Sequence, residues 1–194
     1  MDALRQFLTP FIRLSDEAWA RIEARTGRQS LRRGEYYLRE GQVCRRLGFI
    51  TEGVCRYTWT HEQGQESTRY FVQEGQFLSA VDSFSSQTPS ESSIQAVTPC
   101  EVLTLSFESY QALFNEIPGW GAAVHRITEA AMMEKMQRIA PMIQQDARTR
   151  YEQLMRTQPD LLRRVPLGYI ASYLGITPQS LSRLRRERPP VSAS

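Results

Sequence analysis

The sequence predicts an α+β fold: a roll of short strands, then a long helix, then a compact pair of helices. Three observations predict it. Between residues 28 and 105, glycines at 34, 41, 48, 53, 64 and 75 separate short β-branched or aromatic runs. From Trp120 to about Gln145, apolar residues recur at spacings of three and four. Charge is uneven: residues 1–145 hold 15 Lys+Arg and 17 Asp+Glu, a net of −2, whereas residues 146–194 hold 9 and 4, a net of +5. A near-neutral body with a basic end points to a sensor or scaffold joined to an anion-binding unit.

The elements follow in order. The first 25 residues read as helical, with Phe7, Phe11 and Leu14 at i, i+4 and i+7, a second start at Ser15-Asp16-Glu17, and an end at Gly27. Predicted strands are 36–38, 47–51, 54–58, 67–72, 77–79, 93–96 and 101–106. Glu52-Gly53 predicts a tight hairpin and His61-Glu62-Gln63-Gly64 another. Residues 82–92 read as a polar loop. A helix is expected over 107–115, broken by Pro118-Gly119. The long helix would span about 39 Å, more than a small roll needs to cover one side. Its narrow seam of Val124, Ile127, Ala131, Met132, Met136, Ile139 and Ile143 suits pairing with a twin helix. Packing on its own roll is the plainer alternative. Pro141 should kink this helix or end it early. Asp146 caps a further helix over 147–155, closed by Pro159.

Residues 165–186 carry the most specific pattern. Pro166 can open a helix whose inward face is Ile170, Ala171 and Leu174. Gly175 suits a turn at positive φ, Ile176 plugs the corner, Thr177 caps and Pro178 takes the first helical position. Leu181 and Leu184 face back. Small Ala171, Gly175 four residues on and Leu181 six further have the spacing of a helix-turn-helix, with a plain αα-hairpin as the bland reading. Gln179, Ser180, Ser182, Arg183 and Arg186 then face outward. Gln can pair bidentately with adenine and Arg with guanine. Arg185, Arg186 and Arg188 can meet phosphates, although cations at a helix C-terminus also favour its dipole.

This order of parts resembles the cyclic-AMP receptor protein / fumarate-nitrate regulator (Crp/Fnr) family of bacterial transcription factors. The resemblance rests on Glu40-Gly41, Phe49-Ile50-Thr51-Glu52-Gly53, Glu74-Gly75-Gln76-Phe77 and the helix-turn-helix. It implies a double-stranded β-helix of the cyclic-nucleotide-binding type over 1–118, a dimerisation helix over 119–145 and a DNA-binding domain over 146–194, hinged at Asp146. It implies a homodimer joined through Val124, Ile127, Ala131, Ile139 and Ile143. The homodimer would place two recognition helices in successive major grooves of double-stranded DNA. Thr177 and Ser180 match phosphate-contact positions, and Gln179 and Arg183 match base-reading ones. RNA polymerase stands as a further candidate partner.

The departures concern the ligand. Cyclic-nucleotide binders of this family carry a Gly-Glu-Leu and an Arg-Ser/Thr-Ala around the loop. Here the stretches read Ser79-Ala80-Val81 and about Ser90-Glu91-Ser92, and no Arg lies between Tyr70 and His125. A buried phosphate would lack its cation and meet Glu91. Lys135 and Met136 stand where adenine-binding hydroxyls are expected. The pocket of Phe77, Ser79, Ala80, Val81, Ser90, Glu91, Lys135 and Met136 therefore reads as degenerate, and no response to cyclic AMP is expected. The alternative is a sensor of another small ligand or nucleotide through an altered pocket, with Phe77, Val81 and Phe84 as its lining. With six residues after Arg188, the wing hairpin that the resemblance implies is expected to be missing.

Other classes find little support. His61 and His125 lie in a turn and on the long helix, too far apart in character for a cupin metal site, and no GxSxG, HExxH or P-loop occurs. No enzyme, cofactor or metal is expected. Cys44, Cys55 and Cys100 lack metal-ligand spacing and read as packing residues, with a redox switch as the sharper alternative. Tyr57, Trp59 and Tyr70 read as strand packing rather than a base-stacking platform. No run of 18 apolar residues occurs and Met1–Arg5 opens no signal peptide, so a cytoplasmic protein without membrane contact is expected.

Overall fold

A computed structural model of the chain describes residues 1–61 and 64–186; over 138–144 it describes the backbone alone. Helix α1 (Asp2–Leu8) stops short of Pro10, whose ring nitrogen has no proton to donate to the carbonyl one turn back. Phe11 and Leu14 therefore lie outside any helix, a correction to the continuous N-terminal pattern. Helix α2 (Asp16–Arg25) starts at Ser15, whose side chain accepts the Ala18 N–H. At Thr26 the chain turns directly into strand β1 (Thr26–Leu31).

Seven more strands follow: β2 (Tyr36–Leu38), β3 (Arg46–Glu52), β4 (Cys55–Thr60), β5 (Glu66–Val72), β6 (Phe77–Leu78), β7 (Ser93–Ala96) and β8 (Cys100–Ser106). They form two four-stranded antiparallel sheets, ordered β1-β8-β3-β6 and β2-β7-β4-β5. Helix α3 (Val81–Ser86) occupies part of the stretch expected to be a loop. The Ser83 hydroxyl at its centre donates to the Thr88 carbonyl and accepts the Cys44 N–H.

Glu52-Gly53 is not a hairpin. It is the corner where the chain leaves the first sheet, with β3, and enters the second, with β4. Gly53 has φ +102°, and a Cβ there would collide with the Pro99 carbonyl and the Cys100 sulfur. The β4–β5 connection is a hairpin as expected. Between the sheets lies a core of Leu38, Ile50, Leu78, Ile94 and Val102 with Tyr37 and Tyr57.

Helix α4 (Phe107–Glu116) and helix α5 (Trp120–Gln144) follow. Helix α5 continues three residues past Pro141, so the proline does not end it there, although its ring nitrogen leaves the Gln137 carbonyl without that intrahelical donor. Asp146 caps α6 (Ala147–Thr157); the Thr149 N–H donates to its carboxylate at 2.8 Å and holds that carboxyl below its ordinary range. Pro159 opens a short helix, α7 (Pro159–Arg164), besides closing α6. Helices α8 (Leu167–Tyr173) and α9 (Pro178–Arg186) complete the described chain. The stretch where a wing would lie falls outside the described residues.

Candidate nucleic-acid interface

The turn between α8 and α9 is built as its sequence predicts. The Ile176 N–H donates to the Ala171 carbonyl at 3.0 Å and the Gly175 N–H to the Ser172 carbonyl at 3.1 Å, the paired bonds of a Schellman motif. Gly175 supplies the left-handed residue at φ +67°. A second device stabilises this end: Arg150 of α6 donates to the Leu174 carbonyl at 2.7 Å, placing its charge at the negative pole of α8. Thr177 caps α9 by accepting the Ser180 N–H at 3.1 Å. Ile170, Ala171, Leu174 and Leu181 are fully buried and lock the two helices together.

The opposite face of α9 is open. Thr177, Gln179, Arg183, Arg185 and Arg186 are exposed, and Ser180 and Ser182 are half-buried. Gln179 and Arg183 stand one turn apart on this face. Arg188 lies outside the described residues.

The helical pair is not a free appendage. Helix α8 lies on β5, the edge strand of the second sheet, and covers it. The Thr68 N–H of that strand donates to Ser172 Oγ at 2.9 Å. Val54, Phe71 and Val97 of the roll share one apolar cluster with Tyr151, Leu161, Ile170 and Leu174. Beneath α8 sits Arg56, 5% exposed, on the outward face of β4. Its guanidinium donates to Gln95 Oε1 at 2.7 and 2.9 Å, to Thr68 Oγ1 at 3.2 Å and to the Glu66 carboxylate at 2.7 Å. The Tyr169 ring of α8 lies 3.9 Å from it. At the rim, Arg164 of α7 forks onto the Glu74 carboxylate, with one bond at 2.9 Å. Burial alone would raise the Glu74 carboxyl; bonds from Arg164 and from backbone N–H groups, that of Gly53 among them, outweigh it and hold the group below its usual range. None of this docking was read from the sequence. A charged residue inside a strand reads as solvent-facing, and Arg56 gave no other signal.

Of the residues expected in the degenerate pocket, Phe77, Ser79 and Val81 line one apolar cavity together with Phe84, whereas Ala80, Ser90, Glu91, Lys135 and Met136 do not line it. Ser79, Ala80 and Ser90 are buried, whereas Val81, Glu91, Lys135 and Met136 are exposed. Tyr57 claims the backbone at Ser79: its hydroxyl donates to the Ser79 carbonyl at 2.9 Å and accepts the Ser79 N–H at 2.8 Å. Tyr70 stacks on Tyr57 at 4.2 Å, and Lys135 Nζ of α5 reaches to 5.8 Å from the Tyr70 ring. Burial, and then the neighbouring Tyr70, push the Tyr57 phenol well up, so it stays a neutral donor. The Tyr57/Tyr70 pair packs between neighbouring strands.

On α5, Val124 and Ile127 pack against the chain's own cluster of Leu4, Trp19, Phe49 and Leu113. Ala131 is exposed, as are Met132, Met133 and Met136, each more than 60% open. The side chains of Ile139 and Ile143 lie outside the described residues. Cys44, Cys55 and Cys100 are buried free thiols, with Cys55 and Cys100 sulfurs 3.7 Å apart. His61 meets Ser67 and His125 meets Glu129, and no group of metal-ligating side chains forms among the described residues. No described helix is long and apolar enough to cross a membrane.

Residues 28–116 match the sequence profile of the cyclic nucleotide-binding domain. No curated protein sequence matches the chain. Among solved structures, the catabolite activator protein of Thermus thermophilus is 21% identical, with a TM-score of 0.57 over 91% of this chain and 84% of that one. The cyclic-di-GMP-responsive global regulator CLP of Xanthomonas campestris is 17% identical, with a TM-score of 0.68 over 89% and 91%. FixK2 of Bradyrhizobium japonicum is 14% identical, with a TM-score of 0.68 over 84% and 83%. These neighbours are regulators of the Crp/Fnr type, and at such identities the likeness establishes the fold.

Proposed function

We propose that the chain is a DNA-binding transcription regulator of the Crp/Fnr type. It comprises a cyclic-nucleotide-binding-like roll over 1–118, a dimerisation helix over 119–145 and a helix-turn-helix domain over 146–194. The observation that carries this reading is the open face of α9, with Gln179, Arg183, Arg185 and Arg186 exposed beside a Schellman turn. The exposed Ala131, Met132, Met133 and Met136 support homodimerisation through α5, because such a stripe is stable when a partner helix covers it. The bonds from Tyr57 to Ser79 support a pocket that takes no cyclic nucleotide, since the backbone there is already paired.

The test is a fluorescence-anisotropy titration of a labelled random-sequence duplex with the full chain at low salt. Binding is expected, with an affinity that falls linearly in log salt as counterions are released. Cyclic AMP at 100-fold excess should leave the isotherm unchanged within about twofold, because a ligand that does not bind shifts nothing. Absence of binding at low salt would overturn the DNA reading, and a large shift with cyclic AMP would overturn the closed pocket. The second reading, a sensor of another small molecule, is favoured by an apolar cavity beside the roll.

A further inference from the structure

An apolar cavity of about 290 Å³ lies between the outer face of the first sheet and the helices that cover it. Sheet and helices wall it together: α1 through Leu8, β3 through Phe49, β8 through Leu105, α4 through Leu113, and α5 through Trp120 and Ile127, while Ile22 of α2 closes the back. The exposed Val81 and Ala131, which also line it, stand at its mouth. Interiors are close-packed, and an apolar void of this size forfeits dispersion contacts that an occupant restores. The polar groups are few. Among them, Trp120 is 6% exposed and its indole N–H has no hydrogen-bond partner among the described residues. A buried donor left unpaired is costly, and an acceptor brought by an occupant removes that cost.

We propose that this cavity binds a small apolar molecule of about ten carbon atoms carrying one hydrogen-bond-accepting oxygen. An apolar cavity of ~150 Å³ holds benzene, so roughly twice that volume sets the size. Enclosure by helices on several sides admits a small molecule rather than a polypeptide segment. The Trp120 indole donates to the oxygen, and the aliphatic walls take the rest. Because α5 forms one wall and runs on to the helical pair, occupancy bears on the same helix through which the proposed dimer forms; the binding itself does not depend on that dimer or on DNA.

The experiment is isothermal titration of the full chain with two probes of matched shape, butyrophenone and butylbenzene. Butyrophenone is expected to bind saturably below millimolar. Butylbenzene should bind about fivefold more weakly, the worth of one neutral hydrogen bond. Trp120→Phe should erase that difference. Leu105→Trp, which fills the cavity, should abolish binding of both while circular dichroism shows the fold kept. Three outcomes would overturn the proposal: no saturable heat with butyrophenone, equal affinities of the two probes for the wild type, or undiminished binding by a folded Leu105→Trp. Loss of butyrophenone binding as protein concentration drives self-association would also overturn it, by assigning the cavity to a second copy.

Discussion

Replacing Arg56 with alanine is expected to destabilise the chain by about 3 kcal/mol. The guanidinium is buried between β4 and α8 and satisfies Gln95, Thr68 and Glu66 at once. Removing one partner of a buried ion pair costs roughly 3–5 kcal/mol, because the remaining groups stay desolvated and unpaired. The low end applies because the Glu66 side chain is 34% exposed and water can reach it. Arg56→Lys keeps the charge but loses the planar fork and the stack on Tyr169, so it should lose a substantial part of the same stability. Urea unfolding checks both. Hydrogen exchange should show α8 amides opening more readily in Arg56→Ala than in the wild type, since the helix loses its anchor. A loss under 0.5 kcal/mol would mean that the ion pair does not hold the helical pair to the roll.

The second large effect falls on DNA. Arg183→Ala should cost roughly 1–3 kcal/mol per half-site on the preferred operator and flatten base preference at one position in each half. Arg186→Ala should weaken binding to every sequence alike and reduce the salt slope by about one, as the loss of a phosphate contact does. Both side chains are exposed on α9, so neither change should disturb the buried Leu181 contact that holds the helix. Competition titrations against operator and scrambled duplexes separate the two behaviours. An equal, sequence-blind loss in both variants would make the arginine run a solvated helix end.

Much of the fold was legible because the chain punctuates it. Glycines at φ > 0 mark the turns of the roll, and Asp146, Thr177 and Gly175 mark helix ends by local chemistry alone. Strand β1 escaped because Thr-Gly-Arg-Gln-Ser-Leu lies at a sheet edge with a single buried residue, so no alternation appears. Helix α3 escaped because its one buried apolar residue, Phe84, stands among serines that hydrogen-bond locally, and one such position sets no period. The Glu52-Gly53 corner has hairpin chemistry, and only the long-range pairing of β3 with β8 and of β4 with β7 turns it into a crossing between sheets.

The site divides in the same way. The face of α9 is local, and helical periodicity placed Gln179 and Arg183 on it. The pairing at Ser79 is not local: Tyr57 lies 22 residues earlier, and its reach depends on how the two sheets close on each other. The docking of α8 on β5 joins residues 104 apart, Thr68 and Ser172, and the cavity needs helices and strands from residue 4 to residue 131 assembled. Periodicity along one segment carries no information about such encounters.

The most direct measurement is selection of the full chain on a pool of random duplex DNA at low salt, followed by sequencing of the retained pool. The account predicts enrichment of a pseudo-palindrome whose half-sites are centred about one helical turn apart, ~34 Å, because the two-fold axis of a homodimer is mirrored in its operator. A retained pool with no two-fold symmetric motif would contradict it.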